Sequence, residues 1–140
     1  MIRLLAISVI LLLASCQPED ATPTGPVNDM FDASTATLLR EGMWMGANNY
    51  SVAGSAKLYQ QSDGTRVLVL DMFTSSNGPD LRVYLSTDVA ASSFVNLGKL
   101  KSTNGQQVYT IPAGTDLNQF RFALIWCQQF SVLFGKADTQ

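Results

Sequence analysis

The sequence predicts an all-β domain, an antiparallel β-sandwich or barrel-like fold of about seven to nine short strands. Two observations carry this expectation. From roughly Ala36 the chain becomes a series of short apolar runs rich in Val, Ile, Leu, Phe and Tyr, side chains that suit a pleated, half-buried surface. Turn residues separate the runs, with Ser62-Asp63-Gly64 and Asn104-Gly105 the sharpest, because Gly supplies the positive φ that a tight turn demands.

Each element follows from this pattern. Tyr50 to Gln60 and Arg66 to Phe73 flank Ser62-Asp63-Gly64 and read as a hairpin. Ser75-Ser76-Asn77-Gly78-Pro79 forms a loop before Leu81 to Ser86, a strand whose residues suit packing on both faces. Further strands are Val95 to Leu100, Gln107 to Ile111 stopped by Pro112, Phe120 to Cys127, and Phe130 to Phe134. A helix is expected only around Thr35 to Glu41, where Ser34 would cap and Gly42 would end it. The sequence carries no internal repeat.

Upstream of this domain, taken as residues 36–140, lie two other segments. Residues 1–15 read as a signal: Arg3 is a short cationic start, and the apolar run Leu4 to Ala14 is too short to span a bilayer, which takes about 20 residues. Leu13-Ala14-Ser15-Cys16 has the form of a lipobox, so the segment resembles a bacterial lipoprotein signal. That resemblance implies cleavage before Cys16 and lipid on its thiol. Residues 16–35 then read as a lipidated Cys and a flexible tether, with Pro18, Pro23 and Pro26 among acidic and small polar residues. Such a tether would hold the domain tens of ångströms from the membrane, at about 3 Å per residue. The expected location is the bacterial cell envelope, lipid-anchored at the outer membrane, on its periplasmic side or at the cell surface. Glu19-Asp20, close behind the lipidated Cys, resembles the signals that send some lipoproteins to the surface, and is equally ordinary in a linker.

Composition excludes several functions. Nine Lys and Arg against eleven Asp and Glu, with no basic cluster, leave nucleic-acid binding without an electrostatic footprint. The chain has no histidine, which removes Ser-His and Cys-His catalysis and the commonest ligand for zinc and haem. No cluster of metal-ligating spacing takes its place: Asp71, Asp80 and Asp88 follow no calcium loop, and Met43, Trp44 and Met45, soft as the thioethers are, more often belong to packing than to copper. Asp80 after Gly78-Pro79 is expected to brace its turn by bonding the backbone.

With Cys16 consumed by lipid, Cys127 is the remaining thiol, in a compartment that favours disulfides. Strand alternation places Phe120, Phe122, Leu124 and Trp126 on one face and Arg121, Ala123, Ile125 and Cys127 on the other. If Arg121 marks the wetter face, the thiol is within reach of a partner, and a nearby guanidinium or one of Lys99, Lys101 and Lys136 would favour thiolate. Free cysteine is also among the most buried residue types and behaves as a small hydrophobe. The residues alone leave both readings open.

Gly78-Pro79-Asp80-Leu81 with Val83-Tyr84-Leu85-Ser86, Leu97-Gly98, Leu100-Lys101, Gly105-Gln106, Tyr109 with Ile111-Pro112, and Ile125-Trp126-Cys127 with Phe130, Val132, Phe134-Gly135 and Ala137 form an ordered set. The set resembles the DM-thirteen domain of Skeletor-type proteins over about Leu38 to Ala137. Gly42 and Ser51-Val52-Ala53-Gly54 fit the start of that pattern. The resemblance implies a small β-rich domain with a role in extracellular electron transfer, found alongside DOMON and cytochrome modules. It also implies that the cysteine in the Trp-Cys context, here Cys127, acts as a naked thiol or as a ligand to a prosthetic group such as haem. Where many members carry an early histidine, this chain has Asn48-Asn49-Tyr50. Haem would therefore need Cys127 alone or with a residue such as Met72 or Tyr84, and the chain lacks the C-x-x-C-H attachment motif.

Taken together, these features lead to the expectation of a lipid-anchored envelope protein with a thiol-based redox or electron-transfer role centred on Cys127, serving a redox protein partner. It reads as a redox accessory or binding domain rather than a stand-alone enzyme. The alternative is a non-enzymatic β-sandwich binding module for protein or glycan, using loops Ser75 to Asp80 and Leu100 to Gly105, with Cys127 as a buried structural residue.

Overall fold

Apolar residues at alternate positions give each strand one face to bury, and two five-stranded sheets bury theirs against one another. The computed structural model describes residues 21–140. The signal, residues 1–15, and Cys16 lie outside the described residues.

In chain order the strands are β1 (Val27–Asn28), β2 (Thr37–Met43), β3 (Met45–Gly46), β4 (Val52–Gln60) and β5 (Arg66–Ser75). They continue as β6 (Leu81–Ser86), β7 (Phe94–Lys99), β8 (Gly105–Ile111), β9 (Phe122–Cys127) and β10 (Val132–Asp138). The first sheet has the order β1-β8-β5-β4-β2 and the second β3-β10-β9-β6-β7. All pairings are antiparallel except β1 with β8, which is parallel. The architecture is a sandwich and not a closed barrel. Its strand number exceeds the expected seven to nine because β1 and β3, each of two residues, are too short to leave a pattern.

The core lies between the sheets. Ala56, Leu58, Leu68, Leu70, Phe73 and Tyr109 from the first sheet meet Leu81, Val83, Leu85, Ala123, Ile125, Cys127 and Phe134 from the second. Trp44 joins this core, its ring edge-on to Phe73 at 5.8 Å. A smaller cluster of Tyr59, Val67 and Val69 sits on the outer face of the first sheet under Phe31 and Ala36.

Two expectations are overturned. The helix placed at Thr35 to Glu41 is a strand, β2, preceded by a single 3-10 turn, Ala33–Thr35, that Asp32 caps instead of Ser34. The segment is held as a strand on both sides, by β4 along its length and by the reciprocal bonds Glu41 N to Gln140 O (3.1 Å) and Gln140 N to Glu41 O (3.0 Å). Ladder bonds of this kind override a weak local helix signal.

The described part of the expected tether, 21–35, is docked rather than loose. It runs as a strap against the end and edge of the sandwich. Ala21 forms a bridge with Pro79, Thr103 N donates to Pro23 O (2.9 Å), Ser102 Oγ to Gly25 O (2.6 Å) and Val27 N to Asn104 O (3.0 Å). Asp29 pairs with Lys101 and accepts from Val108 N (2.9 Å), and Phe31 packs against Tyr59, the ring centroids 4.8 Å apart and the planes tilted by 48°. Gly105 is required here: at φ 101° its backbone passes so close to Val27 that a β-carbon would overlap the Val27 carbonyl. Proline and small polar residues favour extended backbone, and an extended backbone serves a strap as well as a tether.

Candidate functional site

Cys127 ends β9, opposite Leu81 of β6 and Val132 of β10. Its side chain has no solvent exposure. The alternation expected for β9 holds, but the faces carry the opposite meaning. Ala123, Ile125 and Cys127 point into the core, whereas Phe122 and Trp126 are partly exposed on the outer face. There Trp126 and Phe94 flank Tyr84, with ring centroids 6.3 and 4.2 Å from the Tyr84 ring.

Arg121 misled because it stands before the strand begins, at the rim, where parity no longer reports a face. It pairs with Asp138 and lies at the far end of β9 from Cys127, about 20 Å along a strand that rises 3.3 Å per residue. Nor do the lysines gather at the thiol. Lys101 is engaged by Asp29, and Lys136, opposite Leu124, lies well along β10 from the Cys127 end. Lys99 lines a small cleft between the strap and Leu81, Leu100 and Asp80.

The polar partner of Cys127 is a loop carbonyl. The Sγ–H donates to Pro79 O at 3.0 Å. Pro79 is held in place from every side. Gly78 lies flat on Phe134, where a β-carbon would come within 2.6 Å of the ring, and Phe134 is itself stacked on Tyr50 at 3.6 Å. Asp80, at φ 52°, accepts from Gln128 N through its carbonyl (3.0 Å) and binds Arg82 Nε through its carboxylate (2.7 Å). Its carboxylate therefore grips the side chain two residues on, at the start of β6, rather than its own turn backbone. The strap closes the outside: besides the Ala21 bridge to Pro79, Asn77 Nδ2 donates to Thr22 O (3.0 Å), and Thr22 is buried. Asn77–Asp80 and Ala21–Pro23 thus form a two-layer cover over the sulfur. The motif Gly78-Pro79-Asp80-Leu81 was visible in the sequence; that its carbonyl holds the thiol was not.

A second buried polar site lies under the same strap, on β8. Gln107 Oε1 accepts from Lys101 N (3.1 Å), Ser102 N (3.3 Å) and Tyr109 Oη (2.7 Å), while its Nε2 donates to Ser102 O (2.7 Å). Burial pushes the Tyr109 phenol far above its usual range, so it stays protonated as a donor. Sequence reading missed this network, since a Gln at one strand position carries no signal of its own.

Haem does not fit at Cys127. The sulfur is enclosed by core side chains and the Pro79 carbonyl. Neither expected second ligand shares its space. Tyr84 points to the outer face, and Met72 is 83% exposed on β5 of the other sheet. Met43 and Met45 are also exposed and flank the buried Trp44. Among the described residues no group of three acidic or cysteine side chains is placed to hold a metal ion.

No curated protein and no solved structure matches the chain. The electron transfer DM13 family model matches residues 45–139, a span that holds both the covered cysteine and the motif covering it, and the chain belongs to that family.

Proposed function

We propose that this chain is a lipid-anchored envelope domain that takes part in electron transfer through the Cys127 thiol, which becomes reactive when its cover opens. The observation that carries the reading is the cover itself: on the side away from the core side chains, the thiol is bonded to Pro79 O in the loop Asn77–Asp80, which the short segment Ala21–Pro23 covers in turn. Segments held by a few bonds open at lower free energy than a sheet does. Membership of the electron transfer DM13 family supports the redox role, and the lipobox form of Leu13 to Cys16 supports the anchor.

With the cover open, Cys127 as thiolate attacks one sulfur of a partner disulfide. A bond forms between Cys127 Sγ and that sulfur, the partner S–S bond breaks, and the second partner sulfur leaves as thiolate and takes up a proton. The Cys127 sulfur is oxidised and the departing sulfur reduced. One thiol closes no internal disulfide, so a second thiol from a partner must resolve the mixed species.

One observation favours a second reading, a binding module with a structural cysteine. Cys127 has no exposure and its proton is engaged by Pro79. Incubating the full chain with a small aromatic disulfide and following mass at Cys127 separates the two. A mixed disulfide that forms faster than the chain unfolds supports the redox reading. One that forms only at the unfolding rate makes Cys127 a core residue and leaves the binding module.

A further inference from the structure

Docking of the strap sets how far the domain can stand from a membrane. Ala21 is fixed against Pro79, so the free length between a lipidated Cys16 and the sandwich is the stretch 17–20. Five Cα steps at about 3.5 Å each span at most about 18 Å. Part of that is taken up by the headgroup layer, which adds about 5–8 Å to each side of the hydrocarbon core. The expected reach of tens of ångströms is therefore lost once residues 21–29 are counted as strap.

The end of the sandwich at which the strap arrives has a matching surface. The β9–β10 turn lies there, because Gln128 N is bonded to Asp80 O and Asp80 follows the Pro79 that holds Ala21. The tip of that turn, Gln128-Gln129-Phe130-Ser131, carries no charge, and Phe130 is 63% exposed. The β3–β4 turn reaches the same end, with Asn48 Nδ2 bonded to Leu133 O and Tyr50 partly exposed over Phe134. Asp80, next to the Pro79 that holds Ala21, is paired with Arg82, and Asp71 and Asp29, further along the first sheet, are paired with Lys57 and Lys101. An exposed aromatic side chain on an uncharged turn tip suits the boundary between headgroups and acyl chains.

We infer that the end of the sandwich bearing Phe130 and the cover of Cys127 rests on the lipid bilayer, with Phe130 inserted at the level of the headgroups. This inference rests on lipidation of Cys16. It places the thiol cover against the membrane and turns the opposite end, with the β8–β9 loop around Ala113, toward the aqueous phase.

The test uses the full mature chain in vesicles of phosphatidylethanolamine and phosphatidylglycerol containing lipids brominated near the headgroup. Mass of the mature chain first reports whether Cys16 carries lipid. Phe130→Trp and Ala113→Trp are then compared, each against the background of Trp44 and Trp126. The expected result is at least twofold stronger quenching of the added Trp at 130 than at 113. Insertion of fifteen Gly and Ser residues after Asp20 should leave lipidation unchanged and lower that ratio if the short span holds the contact, or preserve it if Phe130 binds by itself; both support the orientation. A chain without lipid on Cys16 overturns the anchor and the orientation together. A lipidated chain in which 130 and 113 are quenched equally overturns the orientation alone.

Discussion

The two buried polar sites beneath the strap are built on opposite principles. On β8, Gln107 is saturated: four hydrogen bonds tie it to Lys101, Ser102 and Tyr109. On β9, Cys127 has one, a weak thiol donor to a loop carbonyl. Both are fully buried, so burial does not distinguish them. The number of bonds does. A saturated amide can be removed only at the cost of stranding its partners, whereas a thiol with a single weak bond can move or change oxidation state and leave little behind unsatisfied. The first site holds the strap's anchor loop in shape, and the second is the one on which the proposed redox role rests.

Breaking the first site should have the largest effect. Gln107→Leu leaves the Ser102 N–H, the Tyr109 hydroxyl hydrogen and the Ser102 carbonyl without their partner, while Lys101 N keeps its bond to Tyr109 Oη (3.0 Å), at about 1–3 kcal/mol for each stranded group that water cannot reach. We expect a total loss of about 3 kcal/mol in urea unfolding, with the strap loosened ahead of the rest in hydrogen exchange. Cys127→Ala is expected to cost less, about 1–2 kcal/mol, as a small void and one weak bond. If the two losses are equal, the contrast between the sites fails.

The smallest effect is one of pH and belongs to the strap. Partial burial pushes the Asp29 carboxyl upward, but the bond from Lys101, the Val108 N–H and the Lys101 charge outweigh it and hold it below the usual carboxylate range. A group depressed in the folded state stabilises that state above its unfolded value. The contribution is lost as pH falls through the folded value, here below about pH 4. Strap protection measured by hydrogen exchange should therefore weaken below about pH 4 in the native chain. In Asp29→Asn it should be weaker at neutral pH and flatter with acid.

Much of the fold was legible because strands with one buried face leave a period of two. Leu81 to Ser86 was read with its observed bounds, and the Ser62-Asp63-Gly64 hairpin stands with Gly64 at φ 86°. What was not legible depends on contacts distant in sequence. β2 resembles a capped helix until Gln140 pairs with Glu41, and the described part of the expected linker, Ala21 to Ser34, resembles free chain until the Leu100 to Gly105 loop bonds its carbonyls. At the site, Cys127 and the Gly78-Pro79-Asp80 motif could be named from sequence, but not their contact across 48 residues. The facing of β9 went astray on Arg121, a rim residue whose charge is answered by Asp138.

The most direct test of the account compares two free energies in one sample. Alkylation of Cys127 under native conditions, at rising concentrations of reagent, gives the free energy of the opening that exposes the sulfur; urea unfolding gives that of the whole domain. If the cover is a local gate, the opening costs at least 2 kcal/mol less than unfolding, and Asn77→Ala lowers it further while hardly changing global stability. If the two energies are equal in the native chain and fall together in Asn77→Ala, the thiol is reached only by unfolding and a redox role through Cys127 is contradicted.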